Sequence, residues 1–185
     1  MSDISQMAIL RQEHDLAVDL MNRLRDVAAP LASGAANAQA LASARDTLAR
    51  LRPALLLHFR VEEEGLYPDV QQTVAADAPR VDILSAFFGD ESDDDLKAHT
   101  LLRARVQEIA GTLDRAREGH LGAEAASRLH AAIELAHGLL TRHAHKETTL
   151  IFPMIERLLD RSHMAAAEER MRTVREAARC QHTGA

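Results

Sequence analysis

The sequence predicts an all-α protein, an antiparallel four-helix bundle with an additional C-terminal helix. Three observations predict it. Apolar residues recur at spacings of three and four along most of the 185-residue chain, as they do on amphipathic helices. Stretches that alternate apolar and polar residues, the mark of half-buried strands, are absent. Proline, glycine and acidic clusters divide the periodic stretches into four long segments and a shorter fifth, and four long helices with one apolar stripe each can bury those stripes together. The bundle is expected over residues 1–160, and the C-terminal helix with its tail over 161–185.

The first helix is expected over residues 3–29, ended by Pro30 and Gly34, with the inward stripe Ile4, Met7, Leu10, His14, Val18, Met21, Leu24. The second spans 39–74, with Leu48, Leu51, Leu55, His58, Glu62 and Leu66 inward. Pro53 lacks an N–H and is expected to kink it, or to start a new segment just before His58. The third follows Ser92 to Asp95, whose acids suit a helix N-terminus. Its stripe is Leu96, His99, Leu102, Val106, Ile109, Leu113. The fourth spans 122–159, with Leu129, Ile133, Ala136, Leu140, His143, Glu147, Ile151 and Met154 inward. The fifth, 162–179, interleaves arginines with glutamates and reads as a solvated terminal helix. The connector over residues 75–95 is long for a bundle turn, and its Phe87-Phe88 pair is expected to cap one end of the core.

A formal charge of −6 and a pI near 5.9 argue against nucleic acid as a partner, since phosphate binding needs a basic face. No apolar run approaches the roughly 18 residues of a membrane span, and the N-terminus lacks the layout of a secretory signal. The single cysteine, Cys180, allows neither an internal disulfide nor a thiolate metal cluster, so a reducing cytoplasm is expected. Aromatic residues make up only 3% of the chain, whereas there are ten histidines.

Those histidines fall into an internal repeat. A shift of 85 residues places His14 on His99, His58 on His143, Glu62 on Glu147 and Pro68 on Pro153. Four residues advance an α-helix by about 400°, so each His and the Glu after it share one face. All six residues occupy positions that the stripes assign to the interior. One inward histidine is easily housed in a core, but each buried ionised carboxylate costs several kcal/mol, on the order given for an unpaired ion, without a strong partner. A metal centre is the economical partner. Imidazole suits Fe, Zn, Cu and Ni, and bridging carboxylates suit a pair of ions. Each half supplies the two-His-one-carboxylate set of an iron site; ferritin-like bundles match poorly, because they use Glu-x-x-His pairs and more carboxylates than these six positions offer.

The motif His58-Phe59-Arg-Val-Glu62-Glu63-Glu-Gly-Leu66-Tyr67-Pro68 resembles the signature of the hemerythrin family, in its bacterial HHE cation-binding branch. A second copy reads His143-Ala-His-Lys-Glu147-Thr-Thr-Leu-Ile-Phe152-Pro153, and His14 and His99 match the family's isolated histidines. The resemblance spans roughly residues 7–159. It implies a four-helix bundle in which His14, His58, Glu62, His99, His143 and Glu147 hold two iron ions with a bridging oxo or hydroxo group. Oxygen-carrying hemerythrins have a further histidine where Arg103 stands here, so the centre is expected to be more open. What the resemblance implies for function is a binder of a small oxidant, oxygen or nitric oxide, acting as carrier, sensor or iron buffer. The alternative is a di-iron enzyme that turns over hydrogen peroxide or nitric oxide, and the ligand set does not decide between them.

Glu63, about 140° from His58 on an α-helix, is expected to solvate a helix face, with extra ligation the alternative. Tyr67, Phe59 and Phe152 are expected to wall the site. His120, His130, His145, His163 and His182 read as surface groups, and His137 as a candidate hydrogen-bond neighbour of the ligands. Gly65 and Leu150, each three residues after its glutamate, are expected to border the site. Gly65 either packs closely against a neighbouring helix or leaves room for an incoming ligand.

Overall fold

A computed structural model describes residues 5–32, 38–76, 91–116 and 121–183, and every regular element among them is helical. In chain order these are α1 (Gln6–Ala32), α2 (Ala38–Arg60), the π-helical turn π1 (Val61–Leu66), α3 (Tyr67–Ala76), α4 (Glu91–Arg115), α5 (Ala123–Lys146), the π-helical turn π2 (Glu147–Ile151), α6 (Phe152–Leu158) and α7 (Arg161–Thr183). The fold class is the one the periodicity predicts, a helical bundle with an additional C-terminal helix. The Phe87-Phe88 segment lies outside the described residues, as do Ile4, Gly34 and His120.

The expected stripes are buried, among them Leu10, Met21 and Leu24 on α1, Leu51 and Leu55 on α2, Leu102 and Ile109 on α4, and Ile133 and Leu140 on α5. Two prolines act more weakly than expected. α1 runs past Pro30 to Ala32, and α2 runs through Pro53 to Arg60 without starting a new segment. Pro53 is exposed, so the carbonyl that loses its N–H partner lies on a side of the helix that water can reach.

The helices change character at the two glutamates instead. The N–H of Tyr67 donates to the carbonyl of Glu62, and that of Phe152 to the carbonyl of Glu147. Both are five-residue closures, so each turn holds one residue more than an α-turn. That extra residue moves the apolar stripe along by one. Ile155 is fully buried and Met154 only half-buried, reversing the expectation drawn from a regular helix.

The chain forms two compact units. One comprises His14–Leu55 and Ala98–Ala144. In it, the Arg45 guanidinium donates to the carbonyls of Leu113 (2.6 Å) and Ala116 (3.1 Å), satisfying acceptors that the end of α4 leaves open. The other comprises Met1–Glu13, Leu56–Lys97 and His145–Ala185. Its core gathers Met7 and Leu10 of α1, Val61 and Leu66 of π1, Phe152 and Ile155 of α6, and Ala167, Met171 and Val174 of α7.

α7 is therefore not the solvated helix that its charge pattern predicts. Ala167, Met171, Val174 and Ala178 form a stripe at spacings of four and three, and all are buried. The arginines and glutamates between them mask the stripe, because alanine adds little hydropathy. α7 packs directly on π1. A Cβ added to Gly65 would lie 2.8 Å from Met171 Cγ and 2.9 Å from Met171 Cα. Three further contacts fix the helix. Gln6 N–H donates to Glu168 Oε1 at 3.2 Å, Arg170 pairs with the buried Asp69, and Asp160 Oδ1 caps the first turn by accepting from the N–H groups of Ser162 and His163, both at 2.9 Å.

Gly65→Ala would gain about 1 kcal/mol of helix propensity, but it meets backbone rather than a flexible side-chain tip, and overpacking of this kind costs about 1–3 kcal/mol. The denaturation midpoint should fall; an unchanged midpoint would mean that α7 can shift freely. The cap supplies the second test. The backbone N–H of His163, then the side chains of Ser162 and His163, hold the Asp160 carboxyl well below its ordinary range. A depressed folded-state pKa gives stability that is present above the unfolded value of 3.8 and lost as pH falls below it. Asp160→Ala should thus lower the melting temperature at neutral pH and matter less in acid, and an equal loss at both would contradict the cap's ionic character.

Candidate metal centre

The six residues singled out by the repeat are all buried, none more than 4% exposed, and Glu62 and Glu147 are at 0%. Within the first unit, α1, α4 and α5 bring three imidazoles together. His99 Nε2 and His143 Nε2 are 3.2 Å apart. Their rings meet edge to face at 4.8 Å, and the His14 ring stands 5.9 Å from that of His143. Two ring nitrogens at this separation either share one proton or turn their lone pairs toward a common cation.

The second unit holds the carboxylates and what compensates them. His58 Nε2 lies 3.2 Å from Glu62 Oε1, one turn along the helix. Its other nitrogen, Nδ1, donates to Glu13 Oε2 at 3.1 Å. The Arg175 guanidinium from α7 grips Glu13 on both oxygens, with Nη2 to Oε2 at 3.0 Å. The Tyr67 hydroxyl donates to Glu147 Oε1 at 2.7 Å, a fully buried bond.

The charges on these groups follow. Burial by itself would lower the His58 pKa. The Glu62 charge, the bonds to Glu13 and Glu62 and the Glu147 charge outweigh burial and raise it to about 10. Burial likewise pushes the Glu13 carboxyl up, but the bonds from His58 and Arg175 prevail and bring it below its ordinary value. Surroundings that hold a proton this firmly on an imidazole are electronegative, and the same field favours a bound cation.

Each unit thus holds three of the six residues expected as ligands, His14, His99 and His143 in the first and His58, Glu62 and Glu147 in the second, all of them buried. Imidazole and carboxylate donors without thiolate suit a divalent or trivalent transition ion, and the bond from His58 Nδ1 to Glu13 leaves Nε2 to face it. The donor set fits a metal cation.

Other expectations fare unevenly. Phe59 and Phe152 are fully buried beside the motifs, with the Phe59 ring 6.0 Å from that of His58. His130 and His145 are exposed, and Glu63 is half-buried. His137 bonds to Asn22 Oδ1 at 2.8 Å rather than to a ligand. Leu150 is 50% exposed and does not border the site. Its π-turn breaks the 100° spacing from which that expectation came. Gly65 faces the α7 backbone, so close packing explains it and the access-route reading falls. Tyr67, expected only as a wall, holds Glu147 in place. Glu13 and Arg175 were not singled out by the sequence, since neither lies in a repeated motif.

Residues 6–88 match the family model of the hemerythrin HHE cation binding domain. No curated protein matches the chain. The matched stretch includes His14, His58 and Glu62, so this part of the helical chain is similar to the hemerythrin HHE cation binding domain.

Proposed function

We propose that His14, His58, Glu62, His99, His143 and Glu147 hold a non-haem di-iron centre, and that this centre binds a small oxidant, dioxygen or nitric oxide, as carrier, sensor or iron buffer. The observation that carries the reading is the complete burial of Glu62 and Glu147 in one unit, where His58 Nε2 lies 3.2 Å from the first and the Tyr67 hydroxyl bonds to the second. Two ionised carboxylates in that position call for cationic charge, and His/Glu donors select a borderline metal such as iron. Bound iron would supply Lewis acidity and a reversible change of redox state.

The chain's own residues prepare the site. Glu13 fixes the ring of His58, Tyr67 holds one oxygen of Glu147, and Phe59 and Phe152 keep water from the motifs. The buried Tyr67 hydroxyl, a proton donor in contact with Glu147, favours a second reading in which the centre turns over hydrogen peroxide or nitric oxide. The reading places the protein in the reducing cytoplasm, where an exposed Cys180 is stable. No helix among the described residues is long and apolar enough to cross a membrane.

Metal analysis tests the ligands. His58→Ala or His143→Ala should lower the iron content per chain far more than His145→Ala, which alters an exposed ring. Iron retained in His143→Ala but lost in His145→Ala would refute the assignment. Adding oxygen and then peroxide to the iron-loaded protein separates the two readings: a reversible spectral change marks a binder, sustained gas evolution an enzyme. Iron should also stabilise the fold by linkage, by about 2.7 kcal/mol at a hundredfold excess over Kd, or roughly 5–10 °C in melting temperature for a chain of this size. Identical melts with and without iron would count against a site drawn from this many helices.

A further inference from the structure

We propose that α7 belongs to the metal-binding apparatus, with Arg175 and Glu13 acting as positioning residues that present the Nε2 atom of His58 to the ion. The inference rests on the reading of the centre as a metal site. Its geometric basis is a continuous chain of bonds. Arg175 Nε donates to Gln6 Oε1 at 3.0 Å, its two terminal nitrogens donate to the two oxygens of Glu13, and His58 Nδ1 donates to Glu13 Oε2. The Arg175 side chain is 9% exposed and that of His58 2%.

Each link restricts the next. A guanidinium gripping both oxygens sets the plane of the carboxylate, which a lysine could not do. A carboxylate fixed at Nδ1 then dictates which nitrogen carries the proton, sets the ring's rotation and makes Nε2 a stronger donor. Nδ1 cannot serve as the ligand atom while it donates to Glu13.

The repeat sharpens the argument. At the shift of 85 residues, Glu13 falls on Ala98, so the second copy has no acid at this position. Arg175 likewise lies beyond the matched positions, which run from His14 to Pro68 in one copy and from His99 to Pro153 in the other. Two departures from the internal symmetry thus meet at one imidazole. Burying a guanidinium is costly, and packing alone would be served by an apolar residue in line with Met171 and Val174. The close approach at Gly65 supports the same role, because it seats α7 on π1, next to the turn that carries Glu62.

The test uses the full chain and ferrous iron, with affinity measured by competition against a chromophoric chelator and metal-free stability by thermal melting. Glu13→Gln keeps the size of the side chain and removes its charge; Arg175→Met keeps the bulk and removes the fork. Both should weaken iron binding about 10–100-fold, the range found when such supporting groups are lost, while the metal-free melt changes little. Arg175→Lys should fall between these variants and the native protein, and His145→Ala should bind as the native chain does. If Arg175→Met fails to fold, Glu13→Gln alone decides. Native iron affinity in Glu13→Gln overturns the proposal, as does a loss of affinity that only tracks a loss of metal-free stability. Both outcomes leave the centre itself standing. A native chain that takes up no iron overturns the metal-centre reading and this inference with it.

Discussion

Glu62 and Glu147 are fully buried among helices whose other inward residues are mostly apolar. An ionised carboxylate there costs several kcal/mol, in order of magnitude, unless cationic charge and hydrogen bonds meet it. Much of the surrounding structure answers that cost. Tyr67 supplies a hydroxyl to one glutamate, and His58 supplies a charged imidazole to the other. Glu13 leans on His58 from behind and is itself neutralised by Arg175. A cation bound there would take the place of such protons, since ligand nitrogens must give up their hydrogens to bind.

Chemistry is distributed unevenly between the two compact units. One contributes three imidazoles and otherwise a conventional helical core, tied by side-chain bonds such as His137 to Asn22. The other contributes both carboxylates, both π-turns and the whole of α7. The irregular backbone therefore coincides with the acidic residues. π-turns are rare and concentrate at functional sites, where an altered helix aims a side chain that a regular one would misdirect.

Much of the candidate site was legible because polar residues recur at one shift on positions that the apolar stripes assign to the interior. The shift of 85 residues brought out six polar residues that all prove to be buried, and apolar spacing located the helices around them. The failures share one physical origin, the assumption of a uniform 3.6-residue turn. It put Met154 inward where Ile155 is buried, and it put Leu150 beside the site where it faces outward. The supporting residues were hidden for another reason. Glu13 and Arg175 look like ordinary surface charges in sequence, and only the packing of α7 on α1 and π1 makes them partners. Small residues did the rest of the concealing: a helix buried through Ala167 and Ala178 shows little apolar contrast against its charges.

The π-turns also fix the length of the chain at two points. A single residue deleted from 61–66 would let the ladder close as an ordinary α-helix. Everything beyond it would then rotate by about 100° and retreat by about 1.5 Å. Tyr67 would swing away from Glu147, and Asp69 away from Arg170. The same deletion within 147–151 would turn Phe152 and Ile155 out of their core. Substitutions at many positions in these stretches can be absorbed locally, but a frame-preserving loss of one codon cannot, so these two turns, though each is only one turn of helix, should be among the least length-tolerant parts of the chain.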